Sequence, residues 1–125
     1  EVPNSRLADF VHAGEAQLIA DFACACFVVI GEAVTADWRA LDLSQHGVSV
    51  RRGNDLVATG SGANVLGDPR LALTWLANEL LSQGQFLAAG DIVITGTSVV
   101  PVAVSGGEVI TCDFGVLGTI QARLE

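Results

Sequence analysis

One stretch of the chain carries both the start and the stop signals of an α-helix. Asp68 is a favourable N-cap, Pro69 suits the first helical position because its missing N–H costs nothing there, and Gly84 ends the run. Between these limits, apolar residues recur at helical spacing, at Leu73, Leu76, Ala77 and Leu80. The pattern predicts a helix over about residues 69–83, around which the other elements must be arranged.

Short β runs separated by glycine-rich turns make up most of the remainder. Val48–Val50 and Leu56–Thr59 flank Gly53–Asn54, a pair that can adopt a two-residue hairpin turn. A shorter helix is predicted over about residues 14–23, and four further strands at Asp91–Thr95, Val99–Val104, Glu108–Phe114 and Val116–Ala122. A helix followed by a β meander, without βαβ alternation, predicts an α+β fold.

The amino-acid composition limits which classes of molecule the chain can bind. The chain of 125 residues is 50% hydrophobic and 16% charged, which predicts one folded unit, and its net charge of −8 disfavours nucleic acid and anionic membrane surfaces. The apolar run Phe22–Ile30 is about half of the roughly 20 residues that a membrane-spanning helix needs. The odd count of three cysteines and the lack of a secretory signal favour buried apolar thiols in a cytoplasmic protein over disulfides or a zinc site.

The most conspicuous motif is the glycine-rich stretch Gly60–Gly67. Its third glycine is displaced from the dinucleotide-binding pattern and no βαβ unit surrounds it, and the stretch also lacks the Gly-x-Ser-x-Gly order of a hydrolase elbow. The stretch is therefore predicted to form a bend between a strand and the main helix. Thr95–Ser98 contains three hydroxyls and a glycine. Such a segment can bind a carboxylate through its O–H and N–H donors, or it can be an ordinary polar turn.

Two acids stand among apolar neighbours. Glu1 and Asp21 are each suited either to ligating a hard cation or to capping and salt bridging.

Six segments in this order resemble the 2-keto-4-pentenoate hydratase and 4-oxalocrotonate decarboxylase family, within the fumarylacetoacetate hydrolase superfamily. They are EVPNSR at 1–6, IADFAC at 19–24, GSGANVLGDP at 60–69, WLANEL at 75–80, LAAGDIVITGT at 87–97 and FGVLG at 114–118. The first two resemble the family's Glu-Ile-x-Asp-Ser-Arg and Ala-Asp-Asn-Ala-Ser segments. Since the segments span nearly the whole chain, their ordered set is specific where each alone is weak.

The resemblance implies a mixed β-roll like the C-terminal domain of fumarylacetoacetate hydrolase, and a divalent cation, Mg²⁺ or Mn²⁺, held by three carboxylates. Glu1 matches the last of these carboxylates, whereas the Glu-x-Glu pair and the catalytic Lys of the family lie upstream of the matched region. The chain contains no Lys. We therefore expect residues 1–125 to be a single unit that forms the C-terminal portion of a larger catalytic domain, inactive when isolated.

The resemblance further implies a hydratase or decarboxylase of 2-hydroxydienoic or 2-oxo acids from aromatic catabolism, acting as a homo-oligomer. Asp21 and Cys24 are expected to line the pocket as catalytic candidates. The expected substrate contacts are Gly60, Ser61, Gly62, Thr95, Gly96 and Thr97. Asn4, Phe22 and Cys24 replace the family's usual Asp, Asn and Ser, which leaves a non-catalytic binding or assembly subunit as the alternative.

Overall fold

The computed structural model describes all 125 residues, and they divide into two compact units, Glu1–Ile30 and Gly31–Glu125. The first unit contains the short helix α1, Glu15–Ala20, and a backbone bridge between Val2 and Phe27. The second contains the sheet strands β1 Gly47–Arg52, β2 Asp55–Ser61, β3 Val109–Asp113 and β4 Thr119–Arg123, and the helix α2, Pro69–Ser82. The α+β class predicted from the sequence is confirmed.

The sheet of the second unit is antiparallel throughout, in the order β2-β1-β3-β4. The predicted hairpin forms β1 and β2, and Gly53 takes the positive φ of 56° that its turn requires. Val48 and Val50 alternate along central strand β1 and are 8% and 4% exposed. Together with Val65 they form the buried apolar core, so the core lies under the centre of the sheet.

Helix α2 has the predicted bounds within one residue. The Asp68 carboxylate accepts a hydrogen bond from the Arg70 backbone N–H at 2.8 Å, and Pro69 occupies the first turn. The chain leaves the helix through Gly84, whose φ of 71° is left-handed. None of the helices combines the length and the hydropathy that a membrane crossing requires.

Three predictions about elements differ from the structure. The short helix ends at Ala20 instead of residue 23, because the chain turns left-handed at Phe22. Strand β4 starts at Thr119 rather than 116, because Gly115–Leu117 form a 3₁₀ turn closed by Gly118 at φ 104°. The strands predicted at Asp91–Thr95 and Val99–Val104 are absent from the sheet, since no segment of the chain pairs with them.

The thiols are less buried than the sequence predicts. Cys26 is exposed, while Cys24 and Cys112 are half-buried, and no disulfide links them. Burial raises the pKa of the Cys112 thiol in β3, so this thiol stays protonated at pH 7.

Candidate functional site

Asp21 is the one buried charged residue, with 6% of its surface exposed. Its carboxylate accepts a hydrogen bond from the Ser5 hydroxyl at 2.7 Å and another from the Arg6 backbone N–H at 3.0 Å. The Ser5 oxygen in turn accepts from the Leu7 N–H at 3.0 Å. These donors, with Ser5 first, lower the pKa of Asp21, so the carboxylate is ionised at neutral pH.

The three residues after Asp21 form a left-handed turn. Phe22, Ala23 and Cys24 have φ angles of 53°, 48° and 62°, a conformation that costs L-residues about 1–2 kcal/mol each. The turn is closed by the Cys24 N–H donating to the Asp21 carbonyl at 3.1 Å, and the Asn4 N–H donates to the Cys24 carbonyl at 2.8 Å. Backbone strain that is held by surrounding contacts in this way is concentrated at functional sites.

The first unit thus places Asp21 and Cys24 at the two ends of one strained turn, beside Asn4 and Ser5. Glu1 is exposed and precedes Val2, whose N–H donates to the Phe27 carbonyl at 2.8 Å. Sequence reasoning singled out Asp21 but missed Ser5 and Arg6, the residues that hold its carboxylate. The signal was present in the Asn4-Ser5-Arg6 segment, although a hydrogen-bond partner sixteen residues away is not visible in a local pattern.

In the second unit, the two predicted substrate-binding segments pack directly against each other. The Asn64 side-chain amide donates to the Ser98 carbonyl at 2.7 Å. A Cβ atom at position 60 would lie 1.9 Å from that same carbonyl oxygen, and one at position 96 would lie 3.0 Å from the Val65 side chain. Gly60 and Gly96 are therefore required by the close approach of the two loops.

Gly62 fixes the same loop from its other side. A Cβ at this position would lie 1.9 Å from the Leu43 carbonyl oxygen, and the Gly62 N–H donates to the His46 carbonyl at 3.1 Å. A cavity of about 170 Å³ lies here, bordered by Gly62, His46 and Ser98. The His46 Nε2 atom lies 2.6 Å from the Phe114 carbonyl oxygen and so carries the proton in that hydrogen bond.

The hydroxyls of the second loop differ in their availability. The Thr97 hydroxyl donates to the Val99 carbonyl at 2.6 Å, so its proton is used locally and its lone pairs remain as acceptors. Thr95 is half-buried and Ser61 ends β2 opposite Gly47. Of the predicted contacts, the backbone at Gly60–Gly62 and at Gly96 is the part that the structure brings together.

A family model described as fumarylacetoacetate (FAA) hydrolase C-terminal matches residues 5–125. The chain belongs to this family. As a member of the FAA hydrolase family it is 34% identical over all 125 residues to the 2-keto-4-pentenoate hydratase of Paraburkholderia xenovorans (strain LB400), covering 46% of that protein. It is 36% identical over 88 residues to the 4-oxalocrotonate decarboxylase of Pseudomonas putida, covering 70% of this chain and 33% of the decarboxylase.

The fold of this FAA hydrolase family member is shared with a solved relative. The structure of 4-oxalocrotonate decarboxylase from Pseudomonas putida G7, complexed with magnesium and adipate, matches with a TM-score of 0.87 at 32% identity. The match covers 100% of this chain and 47% of the decarboxylase chain. A second structure of that decarboxylase, complexed with calcium and acetate, matches over 87% of this chain with a TM-score of 0.77. The chain spans about half the length of the relatives that it matches.

The residues present do not by themselves form a cation site. No three His, Cys, Asp or Glu side chains lie close enough together to hold a metal ion. Glu1 is a single exposed carboxylate, and the Asp21 carboxylate is already engaged by Ser5 and Arg6. A complete divalent-cation site therefore requires ligands beyond those that this chain brings together.

Proposed function

We propose that a full-length protein containing this chain is a hydratase or decarboxylase of 2-hydroxydienoic or 2-oxo acids in aromatic-compound catabolism. The observation that carries the proposal is the match over the whole chain to a 2-keto-4-pentenoate hydratase, joined to the shared fold of a 4-oxalocrotonate decarboxylase. Both relatives are named for small organic acids with an oxo group, and the decarboxylase structures hold magnesium or calcium. A divalent cation, Mg²⁺ or Mn²⁺, is accordingly the cofactor that we propose for the full-length protein.

In this proposal the strained turn contributes to the chemical centre. Asp21 stays ionised and accepts hydrogen bonds from Ser5 and Arg6, so its role in this proposal is to position the turn rather than to exchange a proton. Cys24, at the far end of the turn, lines the pocket. Glu1 supplies one carboxylate toward the cation, as the resemblance implies, and the remaining ligands come from outside the 125 residues.

The glycine loops contribute the substrate-binding surface. Gly60, Gly62 and Gly96 lack side chains where neighbouring protein atoms occupy the space, so their role in this proposal is to let the two loops pack together and form the surface. We assign the Gly60–Gly62 loop, Gly96 and the hydroxyls of Thr95 and Thr97 to the substrate carboxylate. The acceptor capacity left on Thr97 suits a carboxylate only through a bridging water or a reoriented hydroxyl, so Thr95 is the better direct donor.

Turnover by the full-length protein tests the proposal. We expect conversion of a 2-hydroxydienoate or of 4-oxalocrotonate at saturating Mg²⁺, with Glu1→Gln lowering kcat/KM roughly a hundred-fold or more. Cys24→Ala should lower it about tenfold or less, because Ala and Cys tolerate the left-handed φ equally and the thiol is a weak hydrogen-bonding group. If Cys24→Ala were the more damaging change, the cation-centred assignment would be wrong.

A non-catalytic role is the second candidate. It is favoured by the absence of a three-ligand cluster and by Asn4, Phe22 and Cys24 at positions where the family usually has Asp, Asn and Ser. Full-length protein that binds these acids in calorimetry but turns over neither substrate would support a binding or assembly subunit.

A further inference from the structure

Residues 92–104 form an extended segment whose backbone is almost entirely unpaired. No backbone N–H in this segment donates a hydrogen bond to another group of the chain. Three of its carbonyls accept, and only from side chains: Ser98 from Asn64, Val99 from Thr97 and Ala103 from Arg52. Backbone groups that are shielded from water are nearly always paired, most often within a sheet or a helix.

The side chains of the segment are those of a buried strand. Isoleucine and valine dominate it, yet Ile92, Ile94 and Val100 are 62%, 45% and 79% exposed. The segment is held at its far end, where Arg52 of β1 donates to the Ala103 carbonyl and its Nε lies 3.3 Å from a Glu108 carboxylate oxygen. An anchored, apolar and unpaired segment is a template for the addition of a β-strand.

The apolar surface of the same unit extends well beyond this segment. Leu71, Trp75 and Leu81 of helix α2 are 58%, 65% and 70% exposed, and Leu73 is 38% exposed. Leu71 and Leu73 lie about 200° apart around a helix of 3.6 residues per turn, so they are on opposite faces. A two-fold contact of standard size buries about 800 Å² per partner in one flat patch, which cannot cover both faces of one helix.

We propose that residues 92–104 pair with a β-strand from the part of the full-length polypeptide that lies outside these 125 residues. The structural match to the solved decarboxylase covers 100% of this chain, but only 47% of the decarboxylase chain. A comparable length of additional chain is therefore available in a relative with the same fold. Chain of that length can cover both faces of helix α2 and the segment, whereas a single two-fold patch of standard size covers one face of the helix.

Amide hydrogen exchange at residues 92–104 tests the pairing without reference to activity. The two samples are the 125-residue chain alone, at two concentrations, and the same chain joined to the unmatched part of the Paraburkholderia xenovorans hydratase. We expect rapid exchange in the isolated chain at both concentrations and at least hundred-fold slower exchange in the joined protein. Slow exchange in the chain alone, slowing that depends on its concentration, or rapid exchange in the joined protein would each overturn the proposal.

Proline substitutions separate backbone pairing from side-chain burial. Neighbouring N–H groups in a strand point to opposite edges, so Val99→Pro or Val100→Pro must remove a donor from the paired edge. We expect at least one of the two to restore rapid exchange across the segment in the joined protein. The matched variants Val99→Thr and Val100→Thr keep the N–H and the β-branched shape, and should remain protected. Equal behaviour of the Pro and Thr variants would contradict strand pairing.

Discussion

At the scale of single residues, the candidate site depends on contacts that reach across the first unit. Asp21 is an obvious candidate in the sequence, but Phe22, Ala23 and Cys24 give no local signal of a left-handed turn, since none is a glycine or an asparagine. The Asn4 N–H that holds the Cys24 carbonyl comes from twenty residues earlier in the chain. Local helical periodicity therefore extended the short helix three residues too far.

The hydrogen bond from Ser5 to Asp21 predicts that removing the Ser5 hydroxyl changes the pKa of Asp21 measurably. Ser5 is the largest cause that lowers the pKa of Asp21, so Ser5→Ala should raise that pKa toward the ordinary value. An ionised Asp21 favours the folded unit above about pH 4, the ordinary unfolded value, and this contribution is lost as pH falls through the lower folded pKa. NMR titration of the Asp21 carboxyl measures the change.

Ser44→Ala is the matched control for this titration. The Ser44 hydroxyl donates to Asp42 at 2.6 Å and is the largest cause that lowers the pKa of Asp42. This variant should raise the pKa of Asp42 and leave Asp21 unchanged. An Asp21 pKa that does not respond to Ser5→Ala would mean that Arg6 alone fixes the carboxylate.

At the scale of elements, the sequence was informative wherever a signal and its partner lie close together along the chain. The Asp68-Pro69 start and the Gly53-Asn54 turn are local, and both predicted the observed structure. Strand tendency in residues 92–104 is equally clear, but a strand exists only when another strand pairs with it, and the chain supplies none. The packing of Gly60 against Ser98 was likewise beyond a pattern argument, because it joins loops on either side of helix α2.

The contact between the two loops predicts that Gly60→Ala and Gly106→Ala differ in how much they lower the free energy of unfolding. Gly60→Ala places a methyl group against the Ser98 carbonyl, and backbone on both sides must shift, so we expect a loss of about 1–3 kcal/mol or more in the free energy of unfolding. Gly106 has open space around it and no positive φ, so Gly106→Ala should change stability by less than about 0.5 kcal/mol. Urea unfolding of the two variants measures the difference, and equal losses would show that the loops separate freely.

At the scale of the whole molecule, the ordered motifs predicted the family, and the family model and the solved relative confirm it. The proposed metal site could not be completed in the same way, because no three His, Cys, Asp or Glu side chains of the chain lie close enough together to hold a cation. The chain spans about half the length of the relatives that it matches, and we propose that the remaining ligands lie in the rest of a full-length protein. Two properties of the isolated 125 residues follow from this proposal.

The first property is weak cation binding. A single exposed carboxylate cannot fix a cation that prefers a nearly octahedral set of oxygens, so Mg²⁺ should bind the isolated chain at millimolar concentrations or more weakly. Isothermal titration calorimetry measures this, with Glu1→Gln as the control that should change little. Micromolar affinity would contradict the expectation and would mean that Asp21 or Glu32 completes a site.

The second property is self-association that depends on salt. Fourteen large apolar side chains of Gly31–Glu125 are exposed while Val48, Val50 and Val65 are buried. Copies of the isolated chain should therefore associate through side-chain contacts, which leave the backbone amides of residues 92–104 unpaired. The net charge of −8 opposes this contact at low ionic strength, and salt screens the repulsion over roughly 10 Å at 0.1 M. Light scattering should therefore show a mass that rises with protein concentration, and rises further from low salt to about 0.5 M, where the screening length is shorter still.

Trp75→Glu, which adds a charge at a side chain that is 65% exposed, should lower the mass at every salt concentration. A strict monomer at high concentration and high salt would contradict this account, since water would then tolerate an apolar surface that we assign to contact with the rest of the protein.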